Sequence, residues 1–131
     1  MSLSTFISDV LTSDSPLSES VGNNVWLTQL PQGYKNNTPA IVFWFETQKQ
    51  HENSAQIVAT VSFRCYGGTA LPSDAESIYI ALRDRLQGAV EKKSSGTLVS
   101  SYEISAQQLP PDPDTGWPVY LAKFQIIAEE F

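Results

Sequence analysis

The sequence predicts a single α+β domain over residues 1–131, with a mostly antiparallel or mixed sheet of four to five strands, two helices packed on one sheet face, and the order αβββαββ. Three observations carry this expectation. Leu3, Phe6, Ile7, Val10 and Leu11 recur at helical spacing and form one apolar stripe. Ile57–Tyr66 alternates along its length, with Ile57, Ala59, Val61, Phe63 and Cys65 on one face and Val58, Thr60, Ser62, Arg64 and Tyr66 on the other. Beyond Pro72, a second helical stripe comprises Ala75, Ile78, Tyr79, Leu82, Leu86 and Ala89. A chain of 131 residues can bury one real core, not two independent ones.

The elements follow in order. The first helix ends at "TSDSP", and Pro16 to Asn24 reads as a turn-rich connection. "VWLTQL", Val25–Leu30, alternates and predicts a short strand closed by "PQGYKNNTP". Pro39 leads into the strand Ala40–Glu46, in which Ile41–Phe45 is wholly apolar. A half-buried strand needs only every second residue apolar, so one face of this segment calls for additional cover. The polar connection Thr47–Gln56 is long for a hairpin and projects as an arm. Gly67 and Gly68 end the next strand, and the S-x-x-E spacing of Ser73 and Glu76 predicts a capping box for the second helix. "KKSSG" reads as a linker, followed by strands at Thr97–Ala106 and Val119–Ala128. The loop between them, Gln107–Pro118, holds four prolines and admits no regular structure.

Composition excludes several classes of function. The net charge is −6 and the basic residues are scattered, which argues against a nucleic-acid grip. Cys65 is the only cysteine, so no intrachain disulfide and no cysteine cluster for zinc can form. No segment approaches the roughly 18 apolar residues of a membrane span. "MSLSTFISDVL" lacks the basic and continuously apolar regions of a secretory signal, and the expected site of synthesis and assembly is a cytoplasm. Charged residues make up 17% of the chain, against about 25% in ordinary globular proteins, which suggests surface covered by partners.

The candidate chemistry is thin. His51 has no second histidine to work with, and Cys65 sits at an apolar strand position. "DPDTG", Asp112–Gly116, resembles the start of a calcium loop, but the twelfth position is Lys123 where a glutamate is required. "YGGTALP" precedes a helix without the glycine spacing or Lys-Ser/Thr pair of a phosphate cradle. "NNT", Asn36–Thr38, is a glycosylation sequon in pattern alone. Trp26, Trp44 and Trp117 have no basic groove beside them and suit packing better than base stacking. No nucleophile, base and oxyanion site assemble, so the expectation is a protein without catalysis, cofactor or metal.

The segment "VSFRCYGG…DAESIYIALRDRLQG" resembles the tail-completion, or tail-terminator, proteins of long-tailed bacteriophages. Val61, Phe63, Arg64 and Tyr66 match that family's strand end. Ala75, Ile78, Leu82, Arg83, Leu86 and Gly88 match its helix. The N-terminal helix, the strand around Pro39, Ile41, Val42 and Phe43, and a final strand after an acidic loop fit the same order. The resemblance implies a homo-oligomeric ring in the neck of a virion, typically hexameric, at the head-proximal end of the tail tube. Such a ring stops tube polymerisation and joins the tail to the head connector or stopper, while genomic DNA passes through its lumen without specific binding. The adjacent head-completion stopper is a related possibility. A binding module for a small molecule or peptide, with Trp44 and Phe45 lining a pocket, is the alternative from another class.

A ring subunit has neighbours on two sides, which gives surplus apolar surface a destination. Ile80 stands opposite the helix stripe, among Glu76, Ser77, Arg83, Asp84 and Gln87, and is the leading interface residue together with Arg83. Trp44 and Phe45 on the apolar strand, Gln50, His51 and Glu52 in the polar arm, and Asp112, Asp114 and Trp117 in the proline-rich loop complete the interface candidates. At least one of the two loops is expected to order only against a partner, and an acidic ring lining is expected to repel the duplex.

Overall fold

Alternating apolar residues build a sheet whose one face is dry across its centre. The computed structural model describes residues 2–13, 15–50, 56–111 and 115–129, with the side chain of Gln50 outside the description. Helices α1 (Leu3–Thr12) and α2 (Pro16–Val21) open the chain. Strands β1 (Val25–Leu27), β2 (Ala40–Gln50) and β3 (Ile57–Tyr66) follow, then α3 (Pro72–Leu86) and strands β4 (Glu91–Lys93), β5 (Gly96–Leu109) and β6 (Val119–Glu129). The six strands form one sheet in the order β1-β2-β3-β6-β5-β4. Every pairing is antiparallel except β1 with β2, which is parallel.

The α+β class stands, with more elements than the sequence predicts. β4 forms where "KKSSG" reads as a linker, because Lys93 pairs with Gly96 across a tight turn. α2 replaces the expected turn-rich connection. Pro16 fits its first turn, the Ser15 hydroxyl accepts from Ser18 N–H, and the Ser18 side chain accepts from Ser15 N–H. A serine here does the work usually given to Glu or Gln, which hides the signal. The box expected at Ser73 and Glu76 does not form. Pro72 begins α3 two residues earlier, so Leu71 occupies the cap position without a side-chain hydrogen bond. Thr69 ties the turn instead, donating to Asp74 Oδ2 at 2.5 Å and accepting from Leu71 N–H at 3.1 Å.

The polar segments are also more regular than expected. Thr47–Gln50 pairs with Ile57–Thr60, and Gln107–Leu109 pairs with Val119–Leu121. Polar side chains at strand ends are compatible with a ladder whose far end stands in solvent, so polarity alone did not mark a loop. β1 is shorter than expected, ending at Leu27, because Thr28 turns away with φ 73°.

All three helices cover one face. Ile41, Phe43, Ala59, Val61, Phe63, Cys65, Ala122, Phe124, Ile126 and Ala128 meet Phe6, Ile7, Val10, Leu11, Leu17, Val21, Ile78, Leu82 and Leu86 in one core. Phe63 lies at its centre, 6.1 Å from the Phe43 ring and 5.8 Å from Phe124, and is fully buried. Each such side chain contributes about 1.5–3 kcal/mol by leaving water. Arg85 fastens α3 to α1 by donating to the Val10 carbonyl at 3.1 Å and to Ser13 Oγ at 2.8 Å, with Glu91 as its ionic partner. Tyr79 stacks on Tyr120 at 4.3 Å and donates to Glu103 at 2.6 Å; burial, then that carboxylate, pushes its hydroxyl up to about 12.

The opposite face of β2 receives different cover. Ala40, Val42, Tyr66 and Val119 form a second, smaller cluster under Trp26, Leu30, Tyr34, Leu109 and Trp117. The chain between β1 and β2 folds back over that end of the sheet, and the Tyr34 hydroxyl donates to the Thr38 carbonyl at 2.6 Å. Half of the surplus apolar strand is therefore satisfied within the subunit.

Gly67 and Gly68 make the close approaches that lock this end. A Cβ on Gly67 would lie 2.5 Å from the backbone of Asp74 and Ala75, and one on Gly68 would lie 2.7 Å from Thr38. Gly67→Ala must therefore push the first turn of α3 off the sheet, and a loss of about 1–3 kcal/mol or more is expected. Urea unfolding of the two proteins checks this through the shift in midpoint at unchanged slope.

Candidate functional site

The remaining half of that second face is open and carries polar side chains. Trp44, Ser62 and Lys123 share this face, since Trp44 pairs with Ser62 and Ser62 with Lys123. Glu46, two residues beyond Trp44, stands on the same side, where the register shifts between Phe45 and Thr47. Its Oε1 accepts from Ser62 Oγ at 2.9 Å and from Trp44 Nε1 at 3.0 Å, and lies 3.9 Å from Lys123 Nζ. The Arg64 guanidinium sits 4.9 Å from the centre of the Trp44 ring, a cation–π contact. Trp44 is thereby held by both its edge and its face, half-buried and presented outward.

Hydrogen bonds from Ser62, then from Trp44, hold the Glu46 carboxyl below the usual carboxylate range, with the Lys123 charge adding to them against some desolvation. The arrangement fixes side chains. Cys65 lies on the helix side and is fully buried, and burial pushes its thiol pKa up, away from thiolate chemistry. Among the described residues, no group of three or more His, Cys, Asp or Glu is arranged to hold a metal ion.

The sequence-derived candidates separate. Adjacent strand residues point to opposite faces, so Phe45 packs on the helix side against Phe43, 6.1 Å ring to ring, while Trp44 faces the open side. They do not line one pocket, which removes the geometry assumed by the binding-module alternative. Ile80 is 46% exposed on the outer face of α3, as the helical spacing predicts. Arg83 is exposed beside it in the chain, 3.9 Å from Glu103. Trp117 packs inward, 5.5 Å from Tyr34 and 6.5 Å from Tyr66. Gln50 ends β2 opposite Ile57. His51, Glu52, Asp112 and Asp114 lie outside the described residues.

Sequence reasoning missed Glu46, Ser62, Arg64 and Lys123 as a unit. Alternation placed Ser62 and Arg64 together on one face, but joining them to Glu46 required the register between β2 and β3. An open cleft of about 600 Å³ lies elsewhere, between α2, α3, β4 and the end of α1. Its floor includes Arg85, whose guanidinium is already committed to Val10, Ser13 and Glu91.

Compared with solved structures, the chain matches one from the "virion of native gene transfer agent (GTA) particle" with a TM-score of 0.68 and 19% identity, covering 95% of this chain and 92% of that chain. The two chains share one fold. No protein-family profile and no curated protein matches the sequence. The shared fold extends over nearly the whole length of both chains, so it includes the sheet, the helix layer and the open face together.

The hydrogen bonds to Glu46 make a pH prediction. A carboxyl lowered by folding contributes stability above its unfolded pKa, and that contribution disappears as pH falls through the lowered folded value. Carbon-detected NMR titration should give Glu46 a midpoint below the ordinary glutamate range, and Ser62→Ala should move it upward. An unchanged midpoint in Ser62→Ala would show that the hydroxyl does not hold this carboxylate.

Proposed function

We propose that this chain is a structural protein of a phage-like virion, a subunit of a ring at the head-proximal end of a tail tube. In this reading the ring stops tube polymerisation and joins the tail to the head connector or stopper. The observation that carries it is the nearly full-length fold match to a chain from a gene transfer agent virion. The strand-to-helix segment Val61–Gly88, on which the resemblance to tail terminators rests, forms β3, the close glycine turn and α3. The side chains that face outward suit contact better than turnover. Trp44 is fixed in place, Ile80 is exposed on a polar helix face, and the described residues assemble no catalytic set.

The function derived from this architecture is mechanical. A helix layer on one side gives each subunit a rigid back, and the other sheet face stays available. With a charge of −6 per subunit, a ring accumulates negative charge and favours sliding of DNA over binding. Arg64 and Lys123 temper this locally, because both are engaged with neighbouring side chains on the open face.

Size-exclusion chromatography with light scattering should give a closed oligomer, six subunits being the expected number. Particles lacking the protein should carry overlong tails. Leaking heads beside normal free tails would instead assign the chain to the stopper position. A chain that stays monomeric at every concentration, and also in the presence of purified tails, would sink the ring reading.

The helix faces give a paired mutational test. Ile80→Glu should leave the melting temperature nearly unchanged, because the side chain is already half in water. Leu82→Glu places a carboxylate in a fully buried site and should unfold the domain. Thermal melts followed by circular dichroism separate the two, and tail attachment by Ile80→Glu reports whether the outer face of α3 meets a partner.

A further inference from the structure

The two edges of the sheet are only partly covered. β1 accompanies β2 from Ile41 to Phe43, then Thr28 N–H donates to the Phe43 carbonyl at 2.8 Å and the chain turns away. β2 runs on to Gln50, and its outer side meets no further strand among the described residues. At the other edge β4 pairs only with Gly96–Leu98 of β5. Gly88 N–H then reaches the Ser101 carbonyl at 2.8 Å, and Gln87 Oε1 accepts from Glu103 N–H at 2.8 Å. β5 continues to Leu109 with no outer strand among the described residues.

Open rows of backbone donors and acceptors are what natural sheet edges avoid. Here both edges also carry register shifts, between Phe45 and Thr47 in β2 and, in β5, between Leu98 and Ser100 and again between Glu103 and Ser105. Such bulges disfavour indiscriminate pairing and leave one short regular stretch on each edge, Thr47–Gln50 and Ser105–Leu109. Large exposed apolar side chains gather at the same edges. Leu27 is 47% exposed at one, and Tyr102, Ile104 and Val90 are 47%, 55% and 72% exposed at the other. Beside Leu27, a groove of about 230 Å³ opens between α1 and the β1–β2 edge, with Phe43 in its wall.

Strand direction selects the occupant. β2, β3, β6 and β5 alternate in direction, so the two edge strands run opposite to each other. A second copy related by rotation about an axis inclined to the strands therefore presents its β5 antiparallel to β2. Gln50 lies level with Leu98 through Ile57 and Ala128, whereas Gln108 lies level with Ile41 through Tyr120 and Cys65. The two free stretches thus sit at opposite ends of the sheet. Joining them displaces successive copies by roughly 20 Å along the strands, the kind of stagger that tilts strands in a closed barrel.

We infer that the free edge Thr47–Gln50 of one copy pairs with the free edge Ser105–Leu109 of the next, head to tail, so that the ring closes on a continuous sheet. The inference rests on the ring reading above and names its contact. It sets Ile104 of the neighbouring copy just past Gln50, brings Leu27 and the groove level with the chain that follows that copy's Leu109, and leaves the outer face of α3, with Ile80, for the tube or connector. A heterologous contact of this kind closes only if its rotation returns to the start, which limits the oligomer to one size.

Cysteine pairs in the full chain test it. Buried Cys65 does not compete, so Gln48→Cys and Gln108→Cys supply the reactive thiols. Under mild oxidation the double variant should give a covalent ladder that stops at the ring number seen by light scattering. A mixture of the two single variants should stop at dimers, and each alone should stay uncrosslinked. Ile104→Lys should raise the concentration for half-assembly at least tenfold with an unchanged melting curve. Crosslinking of either single variant with itself, or a double variant that does not crosslink while the wild-type chain forms rings, overturns the edge contact and leaves the ring reading standing. A wild-type chain that forms no ring overturns both.

Discussion

The double pairing of β3 is the interaction from which the rest of the structure follows. β3 is hydrogen-bonded to β2 on one side and β6 on the other over nearly its full length. Its inward residues Ala59, Val61, Phe63 and Cys65 form the floor on which all three helices rest. A period of two fixes which residues face that floor, and a slip of one register position would turn Phe63 and Val61 outward and Ser62 and Arg64 into the core. The cost of that slip, two large apolar groups exposed and one charge buried, keeps the ladder in place. Helix positions, the open face and the free edges are all referenced to it.

The turn after β3 converts this register into a helix position. Gly67 lets α3 begin in contact with the sheet, and Gly68 lets the chain between β1 and β2 pass over the strand end. Both sides of the sheet are therefore tied to one dipeptide. On the helix side it brings Tyr79 onto Tyr120 and Arg85 to the end of α1. On the other side it shapes the corner where Tyr34, Tyr66 and Trp117 meet edge to face. This corner is apolar and closed, whereas the rest of the face is polar and open, with Glu46 as its centre.

This division is consistent with a protein whose output is contact. A rigid back, an open face with fixed side chains and two bulged edges require no moving part. The low share of charged residues, 17%, fits a surface that other subunits cover.

Local patterns in the sequence determined much of this molecule. The spacing of Leu3–Leu11 and Ala75–Leu86 fixed α1 and the buried stripe of α3, and alternation in Ile57–Tyr66 and Val119–Ala128 fixed β3, β6 and their inward faces. Exposure of Ile80 followed from helical geometry alone. Such features depend on neighbours within one or two turns, so the chain writes them directly. Other features depended on residues far apart. The second face of Ile41–Phe45 is covered by Tyr34 and Trp117, on either side of it in the chain, and no local pattern records that return. Ser18 completes the cap of α2 in place of an acidic residue, and Pro72 overrides Ser73 at α3. The polar ends of β2 and β5 are strands because β3 and β6 supply their hydrogen bonds. Glu46 joins Ser62 and Lys123 only through the sheet register, and the opposed free edges exist only once the strand order is set. Tertiary structure decided these because each is a pairing between distant backbone rows, and a pairing belongs to neither partner's sequence.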